Sequence, residues 1–274
     1  MILLHVAVAA LYALAAWVLW PKPVAIAPGA NAAPSRASIS WTAMLVPAAL
    51  LLHAWMAGSE FATPEGLDLS LPNAVSVVAA LVALVAWASG LLRTLPAIGT
   101  VVLPVAAVAS LVPAFIANPH RFHYGDEPWA ALHIAVALVS YALFLVAALQ
   151  ALLLMGLEQR LRHRLPDPGA TGLPPLLTLE RFLFRLVTVG FVLLTLTLAS
   201  GMLFSEQIFG KPMLFTHRNV LSMLGWITFC GLLLGRWRYG WRGRVALRWI
   251  VAGTVFVFLA YLGEKFVVEV LLRR

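Results

Sequence analysis

The side chains in this sequence best suited to chemistry are its seven histidines. His53 and His133 each stand about five residues inside the end of a long apolar run, roughly 7 Å deep at the rise of an α-helix. His217 stands at the start of another such run. Imidazole is the commonest side-chain metal ligand and a standard axial ligand of haem iron. Two imidazoles on facing helices at matched depth could hold a haem between them. A histidine near a helix end also suits a hydrogen bond to a neighbour or a ring reaching the headgroups. That second reading is the one for His5, His120 and His123; for His53 and His133 both stay open.

Other chemistries are missing from the pattern. No Asp or Glu lies at the middle of an apolar run, where ion-coupled carriers usually place a carboxylate. H-E-x-x-H, G-x-S-x-G and the Gly-rich phosphate loops are absent, which argues against a protease, a hydrolase and an NTPase. Cys230 is the single cysteine. Without C-x-x-C or C-x-x-C-H the chain is neither a thiol oxidoreductase of that kind nor a cytochrome with covalent haem, and Cys230 reads as packing.

The histidines must be positioned by membrane helices. The 274 residues are 62% hydrophobic and 11% charged, against roughly 25% charged in soluble domains. A spanning helix needs about 20 apolar residues. Eight segments qualify: Met1–Trp20, Ser40–Gly58, Ala74–Leu92, Ala97–Ala117, Trp129–Leu157, Phe182–Phe204, Met213–Leu234 and Ala246–Val268. The expected fold is all-α, a polytopic integral membrane bundle of eight transmembrane helices forming a single domain over 1–274. Ala25-Ile26-Ala27 resembles a signal-peptide cleavage site, but the run before it is long and lacks a basic leader, so the first helix reads as retained.

Charge sets the orientation. With both termini outside, 13 of the 19 basic residues fall on the inner side, including Arg160, Arg181, Arg236, Arg242 and Arg248; the positive-inside rule selects this arrangement. Segments 21–39, 157–180 and 235–245 are then cytoplasmic, and six of the seven histidines gather at the outer face, with His163 the exception. The net charge of +8 is thereby explained by membrane orientation rather than by nucleic-acid binding. In the fifth span His133, Ala137, Ser140, Tyr141 and Phe144 share one helical face, a pattern of a helix interface. Gly231 and Gly235 form a small-xxx-small pair that reads as close helix packing.

Several stretches carry a family resemblance. Trp129 to Phe144, with His133 and Ser140-Tyr141, resembles the helix of CcsA/ResC-type cytochrome c assembly proteins that bears an external haem-ligand histidine. Arg185 to Gly201 resembles the next helix of that family, Trp241-Arg242-Gly243-Arg244 its short basic cytoplasmic loop, and Ala260-Tyr261-Leu262-Gly263 its last helix. The pattern is most similar to the YpjD branch, a relative of the HemX proteins, and covers Pro128 to Phe266. The chain therefore divides into a divergent four-helix half, 1–127, and an assembly-like half, 128–274.

The resemblance implies a bacterial inner (cytoplasmic) membrane protein that handles haem, with b-type haem near the outer face and His133 as the ligand carried over. His53 and His217 are candidates by position for the second ligand. It implies partners in cytochrome c biogenesis or haem synthesis, besides haem and membrane lipid. The departures bear on activity. The tryptophan-rich external segment of the assembly proteins is replaced by Leu203 to Pro212, without tryptophan, and no histidine follows the last helix. Those differences argue against haem attachment as an enzymatic activity of this chain. Two rival readings are a HemX-like regulatory or accessory protein without its own haem, and a carrier for a small solute or metal ion.

Overall fold

The computed structural model describes residues 2–20, 44–63, 66–68, 70–116, 121–122, 128–162, 175–203, 217–263 and 266–267. His120, His123 and His163, the Ala25–Ala27 stretch, the loop before Pro175 and residues 204–212 lie outside them.

The apolar runs fold as helices α1 (Ile2–Leu19), α2 (Leu45–Phe61), α3 (Leu71–Ala88), a short α4 (Leu91–Thr94), α5 (Pro96–Phe115), α6 (Pro128–Arg162), α7 (Leu176–Leu203), α8 (His217–Tyr239) and α9 (Gly243–Phe258). A π-helical stretch, Leu259–Gly263, continues α9. Pro72, Pro96 and Pro128 sit in first turns, where a missing N–H leaves no intrahelical bond unmade. Gly90 ends α3 with φ of 74°, a left-handed backbone that favours glycine, and turns the chain into α4.

Eight of these helices are long, and seven are long and apolar enough to cross a membrane. The remaining one, α2, has 17 described residues, about 25 Å at the usual rise, against a hydrocarbon core of about 30 Å. Besides helices there is one small antiparallel sheet, an element the all-helical expectation lacked. Ala62–Thr63 pairs with Gly66–Asp68, which pairs with Arg121–Phe122. It ties the chain leaving α2 to the chain leaving α5.

Two groups of helices result. In the first, α1 packs on α5 and α2, and α3 on α5 and α2. In the second, α6 packs on α7 and α9, and α9 on α8. The groups join where α3 lies against α6. In lipid the drive for such packing is van der Waals fit and interhelical hydrogen bonding rather than escape from water. Both are visible at the centre of the second group. Phe144 and Phe229, each fully buried, stack with centroids 3.9 Å apart and planes at 9°. Gly190 lets α7 close on them: an added Cβ would stand 3.0 Å from the Phe144 ring. Ser140 Oγ donates to Gly190 O at 3.0 Å. The His133-to-Phe144 face is thus a helix interface over most of its length. Gly231 and Gly235 also mark close packing, but against the rings of Trp249 and Trp241 rather than against helix backbone.

Candidate functional site

Helix direction brings the described histidines to one end of the bundle. The beginnings of α1, α6 and α8 and the ends of α2, α5 and α7 meet there, and two separate polar centres form.

The first centre lies between α1, α2, α3 and α5. His5 and Tyr12 are seven residues apart on α1, and His53 and Glu60 are seven apart on α2. Seven residues is about two helical turns, so each pair shares a face, and the antiparallel helices match them as two rungs. On the upper rung His5 Nε2 lies 2.7 Å from Glu60 Oε1, and His5 Nδ1–H donates to Ser110 O at 2.6 Å. Both ring nitrogens face acceptors, so one proton is held between Nε2 and the carboxylate. On the lower rung His53 Nδ1 lies 3.2 Å from Tyr12 Oη, and Nε2 lies 2.9 Å from Ser76 Oγ. The Tyr12 ring meets His53 edge-on at 5.6 Å. His53 is fully buried with both nitrogens engaged.

The second centre lies between α6, α7 and α8. His133 Nδ1 is 2.7 Å from Ser200 Oγ. The hydroxyl of Ser200 already donates to Thr197 O at 3.1 Å. With that hydroxyl donating to Thr197, its oxygen accepts from His133 Nδ1–H and the lone pair falls on Nε2, the tautomer a ligating imidazole needs. A ligating histidine is held in this way, one ring N–H fixed on the protein and the other nitrogen directed to metal. Gly201 faces the ring: a Cβ there would lie 3.5 Å from His133 Cε1, an ordinary van der Waals contact. The guanidinium of Arg218 is close enough to act electrostatically on His133. His217, the first residue of α8, is exposed beside Arg218.

The three histidines singled out from sequence are therefore not equivalent. His53 and His133 belong to different helix groups, each with its own partners, while α8 brings His217 to the same helix ends as His133. Among the described residues no three His, Cys, Asp or Glu side chains converge. The donor set is one of single imidazoles, which suits axial ligation of a cofactor. The His133 imidazole and the Arg218 cation fit haem, which needs an axial nitrogen and counter-charges for its propionates. A groove of about 560 Å³ between α2 and α3, lined by apolar residues including Leu51, Leu84 and Trp87, contains none of these histidines.

Sequence reading missed the partners: Ser200, Arg218, Tyr12, Ser76 and the His5–Glu60 pair. The matched seven-residue spacing on α1 and α2 was a usable signal. Ser200 lies as near the end of its run as His133 lies to the start of its own, which was another.

Residues 41–272 match the sequence profile of the family described as cytochrome C assembly protein. The chain belongs to that family. Among its relatives, the inner membrane protein YpjD of Escherichia coli (strain K12) is 33% identical over 177 residues, 63% of this chain and 66% of the relative. An uncharacterised 28.8 kDa protein of Azospirillum brasilense is 36% identical over 144 residues, 53% of each chain. The cytochrome c biogenesis protein CcsA of Synechococcus sp. (strain CC9902) is 26% identical over 156 residues, 49% of this chain and 51% of the relative. The matched part is thus about half to two thirds of the length of these relatives. No solved structure matches the chain. Membership of the cytochrome c assembly family, together with seven span-capable helices, makes this a multi-pass protein of the bacterial inner membrane. The family match runs across the 127/128 boundary and takes in α2, α3 and α5 as well as the second helix group.

Proposed function

We propose that this member of the cytochrome c assembly family holds a b-type haem at the bundle end formed by α6, α7 and α8, and serves cytochrome c biogenesis or haem trafficking. The observation that carries the reading is the Ser200-fixed ring of His133, whose Nε2 is the ligating nitrogen. His217 is the preferred second ligand, because it begins the helix whose next residue, Arg218, acts on His133. His53 ranks below it: ligation there would require breaking a bond to Tyr12 or to Ser76. Arg218 would pair with a propionate through charge-assisted hydrogen bonds. Haem bound there would supply an iron centre able to change oxidation state or be handed on; the chain's own residues orient the ligand ring and neutralise the carboxylates.

The same reading takes all eight long helices as spans, α2 included, with both termini outside. The distribution of arginines supports it, since Arg160, Arg181, Arg236, Arg242 and Arg248 gather at the end opposite the histidines. Purification from cells supplied with ample haem tests the proposal. The expected product shows a Soret band of a six-coordinate b-type haem, weakened in His217→Ala. A colourless protein would overturn the assignment and favour the accessory role without haem.

A further inference from the structure

We propose that the turn joining α8 to α9 binds the phosphate headgroups of anionic phospholipids. Five arginines lie between Gly235 and Trp249. Two are neutralised within the fold. Arg236 Nη1 lies 3.3 Å from Glu180 Oε1, with its guanidinium 3.4 Å above the Phe184 ring, and Arg244 Nε lies 3.7 Å from Glu158 Oε1. Arg238, Arg242 and Arg248 are exposed and have no carboxylate partner among the described residues. Arg238 is held over the Tyr239 ring at 5.8 Å.

The backbone presenting these three cations is fixed. Gly240 and Gly243 adopt φ of 66° and 59°, which side chains with a Cβ rarely take. Gly240 N–H donates to Arg236 O at 3.0 Å and Trp241 N–H to Gly235 O at 3.3 Å. The Trp241 ring fills the space over Gly235 and packs on Trp249 at 5.2 Å.

Depth decides the ligand. Trp237 is 83% exposed and Tyr239 74% exposed, at the end of an apolar span. Such rings settle at the headgroup level of a bilayer. They place the neighbouring arginines among lipid phosphates, which a guanidinium grips through two parallel N–H···O bonds. A zwitterionic headgroup offsets its phosphate with its own ammonium. Three cations without a carboxylate partner among the described residues therefore select a net negative lipid, phosphatidylglycerol or a two-phosphate lipid of the cardiolipin type.

The test is native mass spectrometry of the full chain, loaded with phosphatidylglycerol, cardiolipin or phosphatidylcholine of matched acyl chains. The wild type is expected to retain the anionic lipids preferentially. Each of Arg238→Gln, Arg242→Gln and Arg248→Gln should lower that preference roughly fivefold, and the triple variant should abolish it. Arg160→Gln, Arg181→Gln and Arg185→Gln together remove the same charge from the same end and should leave the preference standing. Equal loss in both triple variants, or no preference in the wild type, would overturn the proposal. Displacement of the lipid by inorganic phosphate would make this a simple anion site and overturn the lipid assignment. A readout on unmutated protein guards against misfolded variants: nanodiscs of anionic lipid should protect Arg238, Arg242 and Arg248 from phenylglyoxal relative to phosphatidylcholine nanodiscs. Equal modification in the two would contradict the site.

Discussion

The two helix groups each bury histidine at the same end of the bundle and use it differently. In the first, His53 has both nitrogens bonded to hydroxyls from α1 and α3, and His5 is clamped between Glu60 and a backbone carbonyl of α5. These rings act as cross-links between helices. In the second, His133 is bonded through Nδ1 to a serine that also has a backbone carbonyl within donating distance, and it lies near a guanidinium and a second histidine-bearing helix start. The difference teaches that burial of an imidazole does not identify a ligand. The donor or acceptor state of each partner matters as well, because it decides which ring nitrogen keeps a lone pair.

The largest effect is expected away from both centres, at the ring stack that holds the second group together. Phe144→Ala removes a fully buried ring and should cost roughly 3–5 kcal/mol, read as a drop in resistance to denaturant in detergent. A loss too small to measure would mean that the stack does not organise the site. Next comes the cross-link. His53→Ala leaves Tyr12 Oη and Ser76 Oγ buried without their partner and should cost about 2 kcal/mol, while haem content per folded protein stays unchanged. Loss of haem at full stability would invert the roles assigned to the two groups. The third effect falls on the second centre, in affinity rather than in stability. Ser200→Ala removes the acceptor that fixes His133 Nδ1 and should weaken haem affinity roughly 10–100-fold with the fold intact. Ser200→Thr, which keeps a hydroxyl, should restore most of it. Equal affinity in all three proteins would show that the tautomer is not controlled from α7.

Much of this arrangement was legible beforehand, and the reasons for the rest are physical. Apolar runs located all eight long helices, because exclusion of charge is what lipid demands. Their ends were less legible. The sixth apolar run begins at Phe182, whereas α7 begins at Leu176, and the fifth ends at Leu157, whereas α6 reaches Arg162. Polar helix turns beyond the hydrocarbon leave no hydropathy signal. The small sheet is too short for an alternating pattern. At the sites, residue types pointed to His53, His133 and His217, but the meaning of each depends on atoms far along the chain. Ser110 is 105 residues from His5, Ser200 is 67 from His133 and Tyr12 is 41 from His53. The helix-interface face of α6 was readable because its partners needed no naming, only a shared side of one helix.

Haem binding through His133, and not through the His53 cross-link, is what the proposed function rests on. It is tested most directly by absorption spectra of His133→Ala and His53→Ala purified side by side from haem-replete cells. His133→Ala is expected to lose the Soret band while remaining folded, and His53→Ala to keep the band on a less stable protein. A Soret band retained in His133→Ala and abolished in folded His53→Ala would contradict it.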